Sequence, residues 1–288
     1  MIARYPSPRA LLAKYDLHAK KSWGQNFLAD EEILDHIARL AVEREGERVV
    51  ELGAGLGHLT ARLAARGARV VAVERDRDMA RVLRGELAGA VRLLEADAAR
   101  LDYARLAGDE QMWEGGREGS EKLAVVGNLP YHLTSPILFS ILDQADAVSR
   151  AVFLVQREVA ERLAAEPGTK DWGLLSVLLQ HRAQVTVERR VPAGAFVPPP
   201  RVESAVLRAV LGPPRAAVAD AARFRRLVKA GFAQRRKVLA NALAAARLAE
   251  PGALAAALTR AGIDGRRRGE TLSVHEWAAL DRALGPPA

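Results

Sequence analysis

The fold is decided by the stretch Val49-Val50-Glu51-Leu52-Gly53-Ala54-Gly55-Leu56-Gly57, in which an apolar run passes into a glycine-rich turn. A helical pattern follows over residues 60–66 and ends at Gly67. Glycines at alternate positions allow the backbone to approach a ligand closely and to present its N–H groups. Their spacing is G-x-G-x-G, whereas dinucleotide-binding folds need G-x-G-x-x-G, so the pattern disfavours NAD. Alone it is more often a tight turn than a cofactor loop, and its meaning depends on the strands around it.

Acidic residues follow the next two apolar runs. Glu74 comes after residues 70–73, about 20 positions past the first glycine, the spacing at which a carboxylate meets the ribose hydroxyls of a bound nucleotide. Asp97 follows residues 91–94 and can accept a hydrogen bond from an adenine amino group. Because open α/β sheets bind ligands at the carboxyl ends of their strands, we expect these acids to share one ligand site with the glycine turn.

The fourth apolar run, residues 123–127, ends in the string Asn128-Leu129-Pro130-Tyr131. The Asn128 side chain and the Leu129 carbonyl can both accept hydrogen bonds from the exocyclic amine of a flat base. Pro130 fixes φ and adds no competing N–H, and Tyr131 offers a ring on which a purine can stack. Beside a methyl-donor site, this string predicts methylation of adenine N6. The implied donor is S-adenosyl-L-methionine, which carries a reactive methyl group on a sulfonium.

The order of elements predicts an α/β fold with a doubly wound, Rossmann-like methyltransferase sheet and a smaller all-helical C-terminal domain. Strands of a parallel sheet are expected at about 48–53, 68–74, 91–97, 123–128 and 151–156, with two more strands near 183–189 and 202–210. A polar, glycine-rich surface loop is expected at 107–121, and Gly212-Pro213-Pro214 marks a domain boundary. The predicted parts are a basic N-terminal arm (1–22), a methyltransferase domain (23–211) and a helical, basic RNA-binding domain (212–288).

The net charge of +8 is concentrated at the two ends of the chain. Residues 200–288 carry a net charge of +9 and residues 1–25 carry +4, whereas residues 26–199 carry −5. A GC-rich genome would explain why arginine outnumbers lysine, but it does not explain where the excess lies. A neutral to acidic centre flanked by basic segments is typical of a catalytic domain that binds a polyanion, so we expect a nucleic-acid partner.

Basic side chains of the C-terminal part are the candidates for contacting RNA phosphates. The pattern over 224–243 predicts one amphipathic helix, with Phe224, Val228 and Leu239 among its apolar positions and a basic face opposite them. An ordinary solvated helix would have the same pattern, but a second basic cluster favours RNA. The predicted RNA-binding residues are Arg225, Arg226, Lys229, Arg235, Arg236, Lys237, Arg266, Arg267 and Arg268.

Composition excludes several classes of site. The chain has no cysteine, which excludes disulfides and thiolate metal ligands, and its six histidines lack metal-ligand spacing, so we expect no metal. We also expect no membrane span, because no uncharged apolar stretch reaches 18 residues. The N-terminus lacks a signal-peptide core, which favours the cytoplasm. We expect the protein to act as a monomer.

Three further strings complete the pattern: Gly24-Gln25-Asn26-Phe27-Leu28, then Phe196-Val197-Pro198-Pro199-Pro200-Arg201-Val202-Glu203-Ser204, and Gln234-Arg235-Arg236-Lys237-Val238-Leu239-Ala240-Asn241-Ala242-Leu243. With these strings and the donor-site residues, the sequence resembles the KsgA-type small-subunit (16S) ribosomal RNA adenine N6-dimethyltransferases over nearly its whole length. The first and second strings are specific, whereas many methyltransferases share the glycine loop.

The resemblance implies a substrate and further site residues. It implies dimethylation of two adjacent adenines in a hairpin near the 3′ end of small-subunit ribosomal RNA, with the immature small subunit as partner. It places Asn26 and Leu28 over the cofactor, and Phe196 on the second face of the target base; a core aromatic is the alternative for Phe196. Trp23 stands where the family more often has an aliphatic residue.

The candidate catalytic residues are Asn128, Leu129, Pro130, Tyr131 and Phe196. The candidate donor-binding residues are Asn26, Leu28, Gly53, Gly55, Gly57, Glu74, Asp97 and Asn128.

Other functions fit part of the pattern. A large-subunit rRNA adenine N6-methyltransferase of the macrolide-resistance type shares the donor site and the Asn-Leu-Pro-Tyr type of string, but the long basic C-terminal part favours the small-subunit enzyme. A DNA adenine methyltransferase would more often carry two prolines before the tyrosine. A largely non-catalytic ribosome-assembly factor is disfavoured, because Glu74, Asp97 and Asn128 are all present.

Overall fold

The predicted α/β fold with a helical C-terminal part is confirmed by a computed structural model of the protein. No helix in the described part of the chain is long and apolar enough to cross a lipid bilayer. Residues 114–120 of the predicted surface loop and the predicted RNA-binding residue Arg235 lie outside the described residues. The residues that the structure describes are 5–20, 23–113, 121–234 and 236–285.

Nine strands occur in the described residues, and seven of them form one sheet. In chain order the strands are β1 (Phe27–Leu28), β2 (Arg48–Leu52), β3 (Arg69–Val73), β4 (Arg92–Leu94), β5 (Leu123–Asn128), β6 (Val148–Gln156), β7 (Ala183–Val191), β8 (Phe196–Val197) and β9 (Ser204–Leu211). The seven-stranded sheet has the order β4-β3-β2-β5-β6-β9-β7, and β1 pairs separately with β8.

The five expected central strands form a doubly wound parallel arrangement. Strand β2 pairs in parallel with β3 on one side and with β5 on the other, so the chain order reverses between β2 and β5. Ligands of open α/β sheets bind at such a reversal, outside the carboxyl ends of the strands. The predicted parallel arrangement of these five strands is confirmed, and the further strand β9, whose direction was not predicted, runs antiparallel to β6 and makes the sheet mixed.

The helices begin and end where the local sequence supplies capping groups. Asp30 and Asp76 accept hydrogen bonds from backbone N–H groups of the helices they precede, and Ser273 with Glu276 forms a capping box. The α-helices of the described residues are α1 (Pro8–Lys14), α2 (Glu31–Ala41), α3 (His58–Ala65), α4 (Arg77–Glu86), α5 (Tyr103–Gly108), α6 (Thr134–Asp143), α7 (Arg157–Leu163), α8 (Leu174–Arg182), α9 (Ala221–Ala233), α10 (Leu239–Ala245), α11 (Pro251–Arg260) and α12 (Val274–Ala283).

Two compact units share the chain. One contains Met1–Ala160 and Thr186–Gly212, and the other contains Glu161–Val185 and Pro213–Ala288. Residues 161–185, which the predicted boundaries assigned to the methyltransferase domain, thus group with the C-terminal helices. Within this second unit, the indole Nε1 of Trp172 donates a hydrogen bond to the carbonyl of Leu272 (3.0 Å), and both side chains are fully buried.

The first unit is held by apolar strands packed against helices. All five residues of β2 are buried, and side chains such as Ile33, Ile37 and Val49 form one core cluster with at most 2% exposure. Burying a side chain of this kind contributes about 1.5–3 kcal/mol. This packing fixes the carboxyl ends of β2, β3 and β5, from which the predicted site residues project.

The predicted single helix over 224–243 was wrong. Helix α9 ends at Ala233 and α10 begins at Leu239, with a turn between them in which Lys237 N–H donates to the Gln234 carbonyl (2.9 Å). The N–H groups of Leu239 and Ala240 donate to the carbonyls of Arg267 (2.7 Å) and Gly265 (3.0 Å). These two N–H groups therefore bond to residues 265–267 and not to carbonyls one turn earlier, as a continuous helix would require. The segment 265–267 thus accounts for the break between α9 and α10.

Candidate active site

Two adjoining pockets lie at the carboxyl ends of the central strands. We call the first the glycine-loop pocket; it holds most of the predicted donor and catalytic residues, namely Asn26, Leu28, Gly53, Gly55, Glu74, Asn128, Leu129, Pro130 and Tyr131. We call the second the Asp97 pocket, because Asp97 lies in its wall. Both walls include Trp23, Gly53, Glu74, Leu129 and Pro130, so the two pockets meet there. Gly57 and Phe196 line neither pocket in the part of the chain that the structure describes.

The glycine turn adopts a backbone that favours glycine. Gly53 and Gly55 have φ values of 69° and 56°, in the left-handed region, where other residues are strained. Gly57 also has a positive φ, but it faces the N-terminal segment: a Cβ there would lie 2.6 Å from the hydroxyl oxygen of Tyr5. The third glycine therefore makes room for Tyr5, whereas the first two shape the pocket.

Glu74 is fixed by backbone N–H groups. Its Oε2 accepts from the N–H of Gly55 (2.8 Å), and its Oε1 accepts from those of Arg75 and Asp76 (2.7 Å each). Burial raises the pKa of this carboxyl, and the three N–H donors act against the rise. The side chain thus ties the glycine turn to the end of β3, with lone pairs left to accept ligand hydroxyls.

Asp97 stands beyond β4 at the start of a short 3-10 turn. Its Oδ1 accepts from the N–H of Ala99 (3.0 Å), and its Oδ2 lies 3.8 Å from a guanidinium nitrogen of Arg75. One-third of the side chain is exposed. One carboxylate oxygen is used to hold the turn, and the other can accept a hydrogen bond from a ligand in the Asp97 pocket.

Glu51 belongs to the site, and our sequence reasoning missed it. It lines the glycine-loop pocket, retains 2% exposure, and its Oε2 has no hydrogen-bond partner among the described residues. Burial, reinforced by the nearby charge of Glu74, raises the pKa of this carboxyl to about 8. The available signal was a lone carboxylate inside the otherwise apolar run Val49–Leu52, since an unpaired buried carboxylate is costly unless a ligand compensates it.

Asn128 ends β5 with its amide held in one orientation. Its Nδ2 donates to the backbone carbonyl of Asn26 (2.8 Å), which leaves Oδ1 as the acceptor for a ligand. The preceding Gly127 allows this placement, because a Cβ there would lie 2.5 Å from the carbonyl oxygen of Leu52 on β2. Any larger residue at 127 would push β5 away from β2 and shift the amide.

The Tyr131 side chain is held by Ser204, the last residue of the proline-rich string 196–204. Its hydroxyl lies 2.9 Å from the Ser204 hydroxyl, and Ser204 is fully buried at the start of β9. The ring is half-buried, and burial raises the pKa of its phenol, so it stays neutral at physiological pH. No role of Ser204 was predicted from the sequence; in the structure it fixes the ring that lines the pocket.

The expectation that Phe196 offers an open face to a base is corrected by its position. Strand β8 pairs with β1, with Phe196 opposite Leu28, and this pairing packs the Phe196 ring into the core cluster with 3% exposure. In this conformation the ring supports Leu28, which does line the glycine-loop pocket. Asn26 and Leu28 thus reach the site through a two-residue strand that the sequence analysis did not predict.

The described part of the predicted N-terminal arm folds onto the first unit. The Tyr5 hydroxyl donates to the Leu56 carbonyl (2.8 Å) in the glycine turn, and the Tyr15 hydroxyl donates to Glu86 on α4 (2.7 Å). Lys14 pairs with the same Glu86, at 2.6 Å. These contacts hold the arm against the glycine turn and α4, and they pair one of its cations, Lys14, with an acid of the protein.

The predicted RNA-binding residues lie in the second unit, mostly at its surface. Arg226 and Lys229 are exposed on α9, Arg225 is half-buried on the same helix, and Arg236 and Lys237 are exposed in the turn after it. The cluster at 266–268 is paired with acids: Arg266 with Asp264, Arg267 with Glu276, and Arg268 with Glu270.

Across the described ranges, no group of three or more histidine, aspartate or glutamate side chains is arranged to hold a metal ion.

The sequence of this chain is similar to those of known proteins. A family model described as Ribosomal RNA adenine dimethylase matches residues 16–283. Ribosomal RNA small subunit methyltransferase A of Anaeromyxobacter dehalogenans (strain 2CP-C) is 72% identical over 285 residues, which cover 99% of this chain and 100% of that protein. The protein of the same name from Myxococcus xanthus (strain DK1622) is 53% identical over 282 residues, covering 97% of this chain and 96% of that protein.

Solved structures agree with this match. The 23S rRNA methyltransferase ErmE is similar with a TM-score of 0.65 and 27% identity, covering 91% of this chain and 100% of that chain. A dimethyladenosine transferase from Plasmodium falciparum has a TM-score of 0.69 at 20% identity, covering 88% of this chain and 95% of that chain, which shows a shared fold. Because the family model spans nearly all of the sequence that carries the pockets and the helical unit, this chain belongs to the ribosomal RNA adenine dimethylase family.

Proposed function

We propose that the protein transfers methyl groups from S-adenosyl-L-methionine to N6 of two adjacent adenines near the 3′ end of small-subunit ribosomal RNA. The observation that carries the proposal is the Asn128 amide, whose Nδ2 is held by the Asn26 carbonyl so that Oδ1 stays available beside the glycine-loop pocket. An acceptor held in this way suits an amine substrate.

The polar groups of the two pockets fit the proposed donor. When bound, the donor supplies an electrophilic methyl group on a positively charged sulfur. Glu74 would accept from the ribose hydroxyls, and Asp97 would accept from the adenine amino group of the donor. Glu51 offers a buried, unpartnered carboxylate oxygen to a cationic group such as the donor ammonium.

Asn128 and the backbone of Leu129 would prepare the target amine. Two acceptors, Asn128 Oδ1 and the Leu129 carbonyl, can hold both N–H bonds of adenine N6, which turns the nitrogen lone pair out of the ring plane. That orientation restores the nucleophilicity that delocalisation removes. No strong base is needed before attack, because the amine can lose its proton afterwards, and the gain comes mainly from positioning.

Tyr131 would hold the base once it has left its stack. Enzymes that modify a base in folded RNA must first expose it, and an aromatic ring offers a face for the exposed purine. The bond between Tyr131 and Ser204 keeps the ring at the pocket wall. Pro130, next to it, fixes the turn and adds no N–H that would compete for the acceptors.

The relatives and the basic side chains of the second unit support small-subunit ribosomal RNA as the substrate. Two relatives named Ribosomal RNA small subunit methyltransferase A match over almost the full length at 72% and 53% identity, whereas the 23S rRNA methyltransferase ErmE is 27% identical. These values favour the small-subunit substrate over a large-subunit one. The exposed basic residues of the second unit are the proposed phosphate contacts. Assembly of the immature small subunit occurs in the bacterial cytoplasm, which is where the activity is proposed to act.

Undermethylated small ribosomal subunits provide the test. The protein is incubated with methyl-labelled donor and either small or large subunits, and the labelled nucleoside is identified and mapped. We expect N6,N6-dimethyladenosine in small-subunit RNA near its 3′ end. Label confined to large subunits would transfer the proposal to the rival substrate, and no label on either RNA would refute the activity.

A further inference from the structure

We propose that Trp23 is a contact residue for the methyl donor, closing the cleft over the adenosine part where the glycine-loop pocket meets the Asp97 pocket. This inference rests on the proposed donor. It adds a residue that neither the glycine turn nor the acidic strand ends would identify.

Trp23 stands where the two pockets meet. It lies in the walls of both pockets, together with Gly53 and Glu74. Glu74 is the proposed acceptor for the ribose hydroxyls, and Asp97, in one of these walls, is the proposed acceptor for the adenine. A side chain shared by both pockets therefore stands beside the proposed acceptors of the ribose and the adenine.

Trp23 differs from the other tryptophans in its exposure to solvent. Trp23 is 39% exposed, whereas Trp113, Trp172 and Trp277 are at most 1% exposed. A large aromatic ring left in solvent at the mouth of a pocket loses apolar burial that a ligand can restore, and such exposed apolar groups mark binding sites. The other tryptophans have internal packing roles, so the different placement of Trp23 calls for a partner.

Hydrogen bonds fix the segment that bears the Trp23 ring. The backbone N–H of Trp23 donates to the carbonyl of Lys20 (3.0 Å), and the Lys20 ammonium donates to both carboxylate oxygens of Asp76 (2.8 and 2.9 Å). Gln25 Nε2 also donates to Asp76 (2.8 Å). Asp76 lies two residues after Glu74, so the segment that bears the ring is fastened to the segment that bears the proposed ribose acceptor.

Nearby cations decide which part of the donor the ring suits. The guanidinium carbon of Arg75 is 4.8 Å from the Trp23 ring centre, and the Lys20 ammonium is 5.4 Å from a ring of the same indole. Two positive charges therefore already lie within cation–π distance of the indole. A third cation, the donor sulfonium, gains little there, whereas an uncharged purine or ribose can still pack against the indole. The contact is therefore to the part that the donor shares with its demethylated product.

Binding of two ligands to three proteins tests this assignment. S-adenosyl-L-methionine and S-adenosyl-L-homocysteine are titrated by calorimetry and by tryptophan fluorescence into the wild type, Trp23→Ala and Trp23→Phe. Val210→Ala is the matched control, because Val210 is equally exposed (38%) but lines neither pocket among the described residues. Melting temperatures establish that each variant is folded.

We expect Trp23→Ala to lose about tenfold in affinity for both ligands alike, as for the loss of one aromatic stack. Trp23→Phe should lose less affinity but nearly all of the ligand-induced fluorescence change, and Val210→Ala should match the wild type. Unchanged affinities in Trp23→Ala would overturn the inference alone, and so would a loss restricted to the charged donor, which would assign the ring to the sulfonium. A wild type that binds neither ligand would refute the proposed donor itself.

Discussion

In the glycine-loop pocket the carboxyl groups of Glu51 and Glu74 are buried, whereas the arginines at 266–268 in the second unit lie mostly at the surface and are paired with acids. Glu51 and Glu74 retain 2% and 9% exposure, but 89% of the Arg266 side chain is exposed. Desolvating a charge is expensive, so a buried carboxylate without a full set of partners points to a ligand. An exposed arginine gains little from its acidic neighbour and can exchange it for a phosphate at low cost.

The burial of a charged side chain should therefore determine how much its removal lowers the free energy of unfolding, even within one unit. Arg223 and Asp281 form a buried pair in the second unit, with side-chain exposures of 6% and 0%. Arg223→Ala should lower the free energy of unfolding by about 3–5 kcal/mol, because it leaves Asp281 buried without its cation. Denaturant unfolding measures this loss. Arg266→Ala is the matched control at an exposed pair and should unfold like the wild type; equal losses in the two variants would remove the distinction.

Asn128→Ala should have the largest effect on chemistry in the pocket. It removes one of the two acceptors that orient the amine, and the loss of such a group costs about 3 kcal/mol, a factor of a hundred or more in the rate of methyl transfer. Donor affinity should change much less. Single-turnover assays at saturating RNA measure the rate, and calorimetry measures donor binding. A variant with the normal rate would show that the amide does not act on the amine.

Glu74→Ala should mainly weaken donor binding. It removes a buried acceptor of the ribose hydroxyls, a loss of about 1.5–3 kcal/mol for a hydrogen bond to a charged group. It also releases the N–H groups of Gly55 and Arg75 that the carboxylate holds. Calorimetric titration with S-adenosyl-L-methionine gives the affinity, and Glu95→Ala, an exposed acid near the same sheet edge, is the control. Unchanged affinity would take Glu74 out of the site.

Glu51 should make donor binding depend on pH. Burial raises the pKa of its carboxyl to about 8, so in the donor-free protein it is mostly protonated at pH 7. A bound cation favours the carboxylate, so donor binding should release a proton and strengthen from pH 6 to pH 8 by up to about tenfold per pH unit. Calorimetry in buffers of different ionisation enthalpy detects the proton, and Glu51→Gln should abolish its release. Proton-free binding by the wild type would contradict this role.

The exposed basic segments should contribute the smallest effect per residue. Charge reversal at Arg226 and Lys229 should weaken RNA binding and reduce its salt slope by about one unit for each lost phosphate contact. Arg66→Glu makes the same change of charge per residue at an exposed position of the first unit and serves as the control. An unchanged slope in the α9 variants would mean that this face is only solvated.

A region can be predicted from the sequence when the interactions that fix it join residues close together in the chain. The glycine turn, Glu74, Asp97 and Asn128 lie at strand ends, where apolar runs, turn residues and the rules of parallel sheets act over a few residues. Their common location could therefore be predicted. The end of α9 at Ala233 could not, because the N–H groups of Leu239 and Ala240 bond to carbonyls more than twenty residues away, and no proline or glycine marks the break.

Local sequence patterns also failed to predict which side chains are buried. Phe196 stands beside three prolines and was expected to face the base, yet the pairing of β8 with β1 places it in the core cluster. Glu51 was overlooked because it lies within an apolar strand, although a charge in that position was itself the signal. The folding of the N-terminal segment against the glycine turn depends on Tyr5 and Gly57, which are 52 residues apart.

The measurement that tests the comparison most directly is the single-turnover rate of methyl transfer at saturating RNA, made on two variants side by side. If the pocket performs the chemistry and the basic segments only hold RNA, Asn128→Ala should bind RNA normally and react about a hundredfold more slowly. The doubly reversed variant at Arg226 and Lys229 should bind RNA weakly and, once saturated, react at the wild-type rate. Equal losses of rate in the two variants, or a wild-type rate in Asn128→Ala, would contradict this division of roles.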